Sequence, residues 1–286
     1  MADKNDIIIK AENLFFTYED GTEALRGIDL EIKRGRRVAF LGANGSGKST
    51  FFFCLNGLNR PNAGRLLFNG VPYAYDKKAL LNLRSKVGIV FQDPDSQLFS
   101  ASVYQEISFG AMNLELPQAE VESRVEQAIA DLEITPFRDK PTHFLSGGQK
   151  KQVSIADILV MHPQVIVLDE PAAALDPKHT KIVNHLIDKL CERGITTIIA
   201  THDVDHAYEW ADDVVLFHDG KVLLSGPPEE VFANEAALLQ TNLEKPAALR
   251  LFDSLKSRGL LAGSLKPPRT LDALEEYIRQ SVSGAR

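Results

Sequence analysis

Lys48 and Ser49 close the run Gly42-Ala43-Asn44-Gly45-Ser46-Gly47-Lys48-Ser49, and residues of these types at this spacing bind polyphosphate. The glycines let backbone N–H groups turn inward onto phosphate oxygens. Lys48 adds a mobile positive charge near the outer phosphates, and the Ser49 hydroxyl can be offered to Mg²⁺. Gly42, Asn44, Gly45, Ser46, Gly47, Lys48, Ser49 and Thr50 are therefore the candidate nucleotide-binding residues. Asp169 and Glu170 end the apolar run Val165-Ile166-Val167-Leu168, where an open α/β sheet binds its ligand. Asp169 is suited to hold Mg²⁺ through water, and Glu170 to polarise or deprotonate an attacking water. Gln92 follows another apolar run and carries an amide oxygen that can reach Mg²⁺ or that water. The expected metal set is Ser49, Gln92 and Asp169; the expected catalytic set is Glu170, His202 and Gln92.

His202 follows the apolar residues 196–200 and is read as a γ-phosphate contact at a strand end. A metal site made with His206, Asp203 and Asp205 is the competing reading, but no His-Glu-x-x-His pattern accompanies them. Tyr18, in Phe15-Phe16-Thr17-Tyr18, is a candidate to stack on adenine, against the alternative of a core aromatic. A second glycine-rich element, Leu145-Ser146-Gly147-Gly148-Gln149, precedes a helical pattern and has no lysine within it. Its serine hydroxyl, glycine N–H groups and helix dipole form an anion site. Ser146, Gly147, Gly148 and Gln149 are expected to complete the nucleotide site of another subunit.

These residues need a scaffold with strand, loop and helix in that order. Residues 38–41, 87–91, 165–168 and 196–200 read as buried strands of a mostly parallel sheet, giving a P-loop α/β core. Residues 7–18 and 28–32 alternate around Asp20-Gly21 as an antiparallel β region. Helical periodicity over 103–112, 118–132 and 148–161 predicts an inserted helical subdomain at about residues 93–162. Residues 214–217 and 221–224, joined by Asp219-Gly220, read as a closing hairpin, with Pro227-Pro228 opening the next helix. Amphipathic patterns at 247–256 and 271–278 predict a small C-terminal helical extension. The expected division is residues 1–235 and 236–286.

Composition limits the function classes. With 286 residues, 44% hydrophobic and 25% charged, the chain is ordinary globular material. A formal net charge of -7 and a pI near 5.6 argue against a nucleic-acid partner. Cys54 and Cys191 lie in apolar or helical patterns, as free thiols of a reducing compartment do. The polar start, Met1 to Asp6, lacks the apolar core of a secretory signal, and no apolar stretch is long enough to span a bilayer. These features predict a cytosolic chain.

The order Lys48, Gln92, Ser146-Gly147-Gly148-Gln149, Asp169-Glu170, Asp176 and His202 resembles an ATP-binding-cassette ATPase across residues 7–224. The resemblance implies two cassettes dimerised head to tail. Each ATP then lies between one subunit's phosphate loop and the other's signature, and Asp176 belongs to the loop that contacts the opposite site. The run from Val90 through Gln92-Asp93-Pro94-Asp95-Ser96-Gln97 to Tyr104 and Gly110 is similar to the ATPase subunits of energy-coupling-factor importers. Phe99-Ser100-Ala101-Ser102-Val103-Tyr104, and Lys150-Lys151 after the signature, are most like the cobalt-importer ATPase. A cobalt importer is favoured over a vitamin or nickel importer of the same type, and over a soluble, non-transport cassette ATPase. A P-loop kinase or GTPase would leave residues 145–149 and His202 unexplained.

The resemblance further implies ATP and Mg²⁺ as cofactors and a second ATPase subunit, identical or closely paralogous. It also implies a transmembrane scaffold subunit with a substrate-binding membrane component, and peripheral attachment to the cytoplasmic face of the membrane. The C-terminal extension would help hold the dimer together. The chain departs from the family at Gln152, usually arginine, and Ala173, usually serine. ATP hydrolysis is expected to persist, with cross-site contacts weaker or rearranged.

Overall fold

A computed structural model describes residues 6–283; Met1–Asn5, on which most of the expectation about the N-terminus falls, lie outside the described residues. Alternating burial along β1 (Ile7–Thr17) and β2 (Glu23–Lys33) gives a sheet with one covered face. β2 begins earlier than residue 28 because Gly27 is the extra residue of a bulge: Leu14 pairs with Ile28 and Phe15 with Arg26. The bulge interrupts the apolar alternation without ending the strand. β3 (Arg37–Leu41) then enters the core and delivers the phosphate loop to α1 (Lys48–Leu55). β4 (Ala63–Phe68) and β5 (Val71–Pro72) return to the first sheet, whose order is β2-β1-β4-β5.

α2 (Lys77–Lys86), capped by Asp76, runs into β6 (Val87–Val90). The helical insertion follows as α3 (Val103–Met112), α4 (Gln118–Asp131) and α5 (Gly147–Leu159). α5 starts one residue before the expected position because Ser146 is its N-cap. The Ser146 hydroxyl accepts from Gln149 N at 3.3 Å, and the Gln149 side-chain Oε1 accepts from Ser146 N at 3.1 Å. The chain then completes the core with β7 (Val165–Asp169), α6 (Pro177–Glu192), β8 (Thr196–Ala200), α7 (Val204–Trp210), β9 (Asp213–His218) and β10 (Lys221–Gly226).

The second sheet has the order β10-β9-β3-β8-β7-β6 and is parallel except at β10. Strand alternation divides its side chains between two cores. Ala39, Leu41, Ile166, Leu168 and Leu216 pack with the helical insertion, whereas Val38, Phe40, Val165, Val167 and Phe217 pack with α1 and the antiparallel sheet. The phosphate loop thus leaves a strand held from both faces.

α8 (Pro228–Ala233), α9 (Glu235–Gln240), α10 (Ala247–Ser257) and α11 (Leu271–Ser283) finish the chain. Ala237, Leu238 and Leu249 still belong to the main core, while Phe252, Leu261 and Leu274 form a separate small cluster. Among the described residues, no helix is long and apolar enough to cross a membrane.

Candidate active site

Tyr18, Asn44, Gly45, Ser46, Gly47, Lys48, Ser49, Thr50, Gln92, Asp169 and Glu170 line a single cleft of about 380 Å³. Strand ends bring them there. β3 supplies the loop, β6 ends two residues before Gln92 and β7 ends at Asp169, while β8 ends two residues before His202, which lines the adjoining cavity with Glu170. Gly42 sits at the base of the loop, against the Phe217 carbonyl, with no room for a side chain.

Lys48 is buried and donates from Nζ to the carbonyls of Gly42 at 2.7 Å and Ala43 at 3.0 Å. Desolvation lowers its pKa, opposed by the nearby carboxylates of Glu170 and Asp169. The ammonium is therefore held at the loop by weak neutral acceptors, which an anion can replace. Ser49 donates to Asp169 Oδ2 at 2.6 Å. Together with the Gln92 amide in the same cleft, this is an all-oxygen donor set of the kind that suits a small hard cation.

Glu170 has φ +47°, a strained conformation for a residue with a side chain. That backbone turn separates it from Asp169 although the two are adjacent in sequence. Burial raises the Glu170 pKa; His202 and Lys48 pull it down and Asp169 pushes it up. Its Oε1 is buried without a hydrogen-bond partner, 3.1 Å from His202 Nε2. The same His202 nitrogen is 3.0 Å from Asn44 Oδ1, so the imidazole bridges the phosphate loop and the carboxylate. A buried carboxylate oxygen with unused acceptor capacity is what a water-activating group needs.

His206 stacks on Trp210 with ring centroids 6.0 Å apart and lines the same cavity as His202 and Asp203. Among the described residues, no group of three or more His, Cys, Asp and Glu could hold a metal ion. Tyr18 is partly exposed, edge-on to Phe16 at 4.9 Å, with its hydroxyl 2.8 Å from Thr50 Oγ1. One face of the cleft thus carries an aromatic ring fixed to the helix after the loop.

Ser146, Gly147, Gly148, Gln149 and Asp176 do not line this cleft. Ser146 caps α5, and Asp176 caps α6 by accepting from His179 N at 2.9 Å. Gln152 is buried and donates to the Leu132 carbonyl at 3.0 Å, so this departure acts on the packing of α5 against the end of α4. Ala173 lines a neighbouring cavity with Glu170, Asn184 and His202.

Several contributors escaped the sequence. Gly220 lines the cleft with Asp219, and its N–H donates to the Ser46 carbonyl at 2.9 Å. The Asp-Gly pair signals a turn, but not where the turn docks. Lys151 is almost fully buried and donates to the carbonyls of Phe91 at 3.0 Å and Gln92 at 2.8 Å, tying α5 to the segment that carries Gln92. A lysine within an amphipathic helix gives no sequence sign of such burial.

A family model described as ABC transporter matches residues 25–173. The energy-coupling factor transporter ATP-binding protein EcfA3 of Clostridium perfringens is 49% identical over 254 residues, 88% of this chain and 89% of that protein. EcfA of Methanocaldococcus jannaschii is 46% identical over 251 residues, 88% and 90% of the two chains. The structure of cbiO1 from Clostridium perfringens, part of the ABC transporter complex cbiONQ, aligns with a TM-score of 0.74 and 48% identity. That alignment covers 88% of this chain and 100% of that one. The dimeric ATP-binding cassette MJ0796 bound to ADP and Pi aligns with a TM-score of 0.70 and 27% identity, covering 77% and 99%. The chain belongs to the ABC transporter family, as an ATP-binding subunit of the energy-coupling factor type.

Proposed function

We propose that the chain is the ATP-hydrolysing motor of a membrane importer for cobalt ions, working as one half of a head-to-tail dimer. The carrying observation is that Lys48, Ser49, Gln92, Asp169 and Glu170 share one cleft from which Ser146 to Gln149 and Asp176 are absent. Each chain thus supplies a binding and hydrolysing face to one ATP and a capping face to another.

In this reading Tyr18 stacks on adenine, and residues 42–50 wrap the phosphates. Lys48 exchanges its carbonyl partners for phosphate oxygens. Ser49, Asp169 and Gln92 would hold Mg²⁺, whose charge offsets that of the outer phosphates. Glu170 takes up the proton of the attacking water, with its pKa raised by burial. His202 fixes Glu170 and contacts the γ-phosphate. The start of α5, with Ser146 and the N–H groups of Gly147 and Gly148, presents the positive end of a helix to the ATP of the second subunit. Asp176 lies beside that corner.

Closure of the dimer is passed to a transmembrane scaffold through residues 92–110. Phe99 and Phe109 support this, being exposed and in edge-to-face contact at 4.9 Å. The extension beyond α9 is a dimerisation element, and peripheral attachment to the cytoplasmic membrane face follows from these partners. The cobalt reading is supported by the Phe99 to Tyr104 and Leu145 to Lys151 runs and by likeness to cbiO1.

The test is uptake by the complex reconstituted with its membrane components in vesicles. ATP-dependent cobalt accumulation is expected, with turnover stimulated by those components. Nickel or vitamin uptake without cobalt uptake would change the cargo, and unstimulated hydrolysis with no uptake would overturn the motor role.

A further inference from the structure

The Ser146–Gln149 corner and the Asp176 loop are distant in sequence, yet side chains of one cover the glycines of the other. A methyl group added to Gly147 would lie 3.7 Å from Leu175 Cδ2, in ordinary contact. A methyl group added to Gly148 would fall 2.5 Å from His179 Cδ2 and 2.9 Å from Cγ, so the imidazole occupies the space of a side chain there. His179 also grips Asp176 twice. Its backbone N donates to Oδ1 at 2.9 Å, and its Nδ1 lies 2.6 Å from Oδ2. These bonds hold the Asp176 carboxyl below its ordinary range.

Capping α6 requires only the backbone bond. The ring contacts go further, joining the end of a loop that contains Ala174 at φ +61° to the first turn of α5. We propose that His179 is a positioning residue that locks the signature corner and the Asp176 loop into one block, so that both reach a second subunit's nucleotide in fixed register. This rests on the reading that these two elements face the partner's ATP. Pre-ordering them lowers the conformational cost of closing the sandwich, which otherwise falls on assembly.

The experiment uses the full chain carrying Glu170→Gln, expected to bind ATP without turning it over and so to hold the dimer closed, and adds His179→Ala, His179→Asn or His179→Gln. Asparagine keeps a donor near the Nδ1 position; glutamine keeps bulk over Gly148 without that donor. Binding of a fluorescent ATP analogue by the dilute monomer should stay within about twofold for all three. ATP-dependent dimerisation, followed by light scattering, should weaken by about tenfold for alanine and glutamine and be largely retained by asparagine. With Glu170 restored, kcat should fall in the same order while KM for ATP barely moves.

Parental dimerisation and turnover in His179→Ala would overturn the proposal. If that variant melts well below its parent, the same result in His179→Gln would overturn it instead. Retention in the glutamine variant with loss in the asparagine variant would also do so, since it would mean packing over Gly148 alone. If the Glu170→Gln parent itself fails to dimerise on ATP, the underlying reading fails and the lock falls with it.

Discussion

Two part-buried carboxyls carry opposite consequences at the scale of single residues. Glu170 is held at positive φ with Oε1 3.1 Å from His202 Nε2 yet accepting no hydrogen bond, so that oxygen keeps acceptor capacity for a water. Glu170→Gln should retain ATP binding and lower phosphate release by about 10²-fold or more; normal turnover in a coupled phosphate assay would remove Glu170 from the mechanism. Asp157, part-buried on α5, accepts from Gln97 Nε2 at 3.2 Å. Burial pushes its carboxyl up to about 7 from 3.8, with Glu106 adding to the rise. The folded chain therefore holds a proton that the unfolded chain loses, and this contribution to stability is full below pH 3.8 and gone above about 7. Asp157→Asn keeps the shape of the protonated acid. The stability of the parent relative to this variant should fall with rising pH by roughly 1.4 kcal/mol per unit across that window. Urea midpoints measured at several pH values check it, and a flat difference would show that Asp157 is ionised in the fold.

Close approach between elements sets the geometry one level up. Gly88 in β6 faces Ile158 of α5 so tightly that a methyl group there would overlap its Cγ2. Gly88→Ala should cost about 1–3 kcal/mol, with part recovered in the double variant Gly88→Ala/Ile158→Ala; denaturant unfolding measures both. Gly220 combines φ +73° with only 2.8 Å between an added methyl and the Ala24 carbonyl. Gly220→Ala should therefore shift the turn that holds Ser46 and weaken ATP binding more than it lowers the melting temperature. Calorimetric titration with ATP beside a thermal melt separates these effects.

The same scale explains what was legible in the sequence. The buried parallel strands were plain because both faces are apolar, and the residues of the nucleotide cleft were plain because a strand end fixes their neighbours. The helices between the strands, α2, α6 and α7, have no limits marked in the sequence, and the limits of β2 and α5 are displaced by a bulge glycine and a serine cap. Contacts across the sheet left no local trace. Gly220 on Ser46, Lys151 on Gln92 and His179 on Gly148 each join residues whose pairing only the fold determines. Gln152, which marks lost charge in the sequence, is a buried donor in the fold.

The whole molecule has a large two-faced core and a weak appendix. Phe252, Leu261 and Leu274 hold the last helices with few other apolar partners. Phe252→Ala should release α11 to exchange and proteolysis while nucleotide binding persists, because local unfolding there leaves the cleft intact. Hydrogen exchange is the measurement; uniform loss of protection across both units would show a single cooperative body.

Sheet order also imposes a timetable on synthesis. β3 carries the phosphate loop at residues 37–41, yet its two sheet neighbours are β8 at 196–200 and β9 at 213–218. The N–H that supports Ser46 arrives later still, on Gly220. A ribosome that has made the first half of the chain has exposed every residue of the loop but none of its flanking strands. The nascent chain becomes able to seat ATP only as its catalytic core nears completion, so an unfinished copy has no ready means to compete for nucleotide.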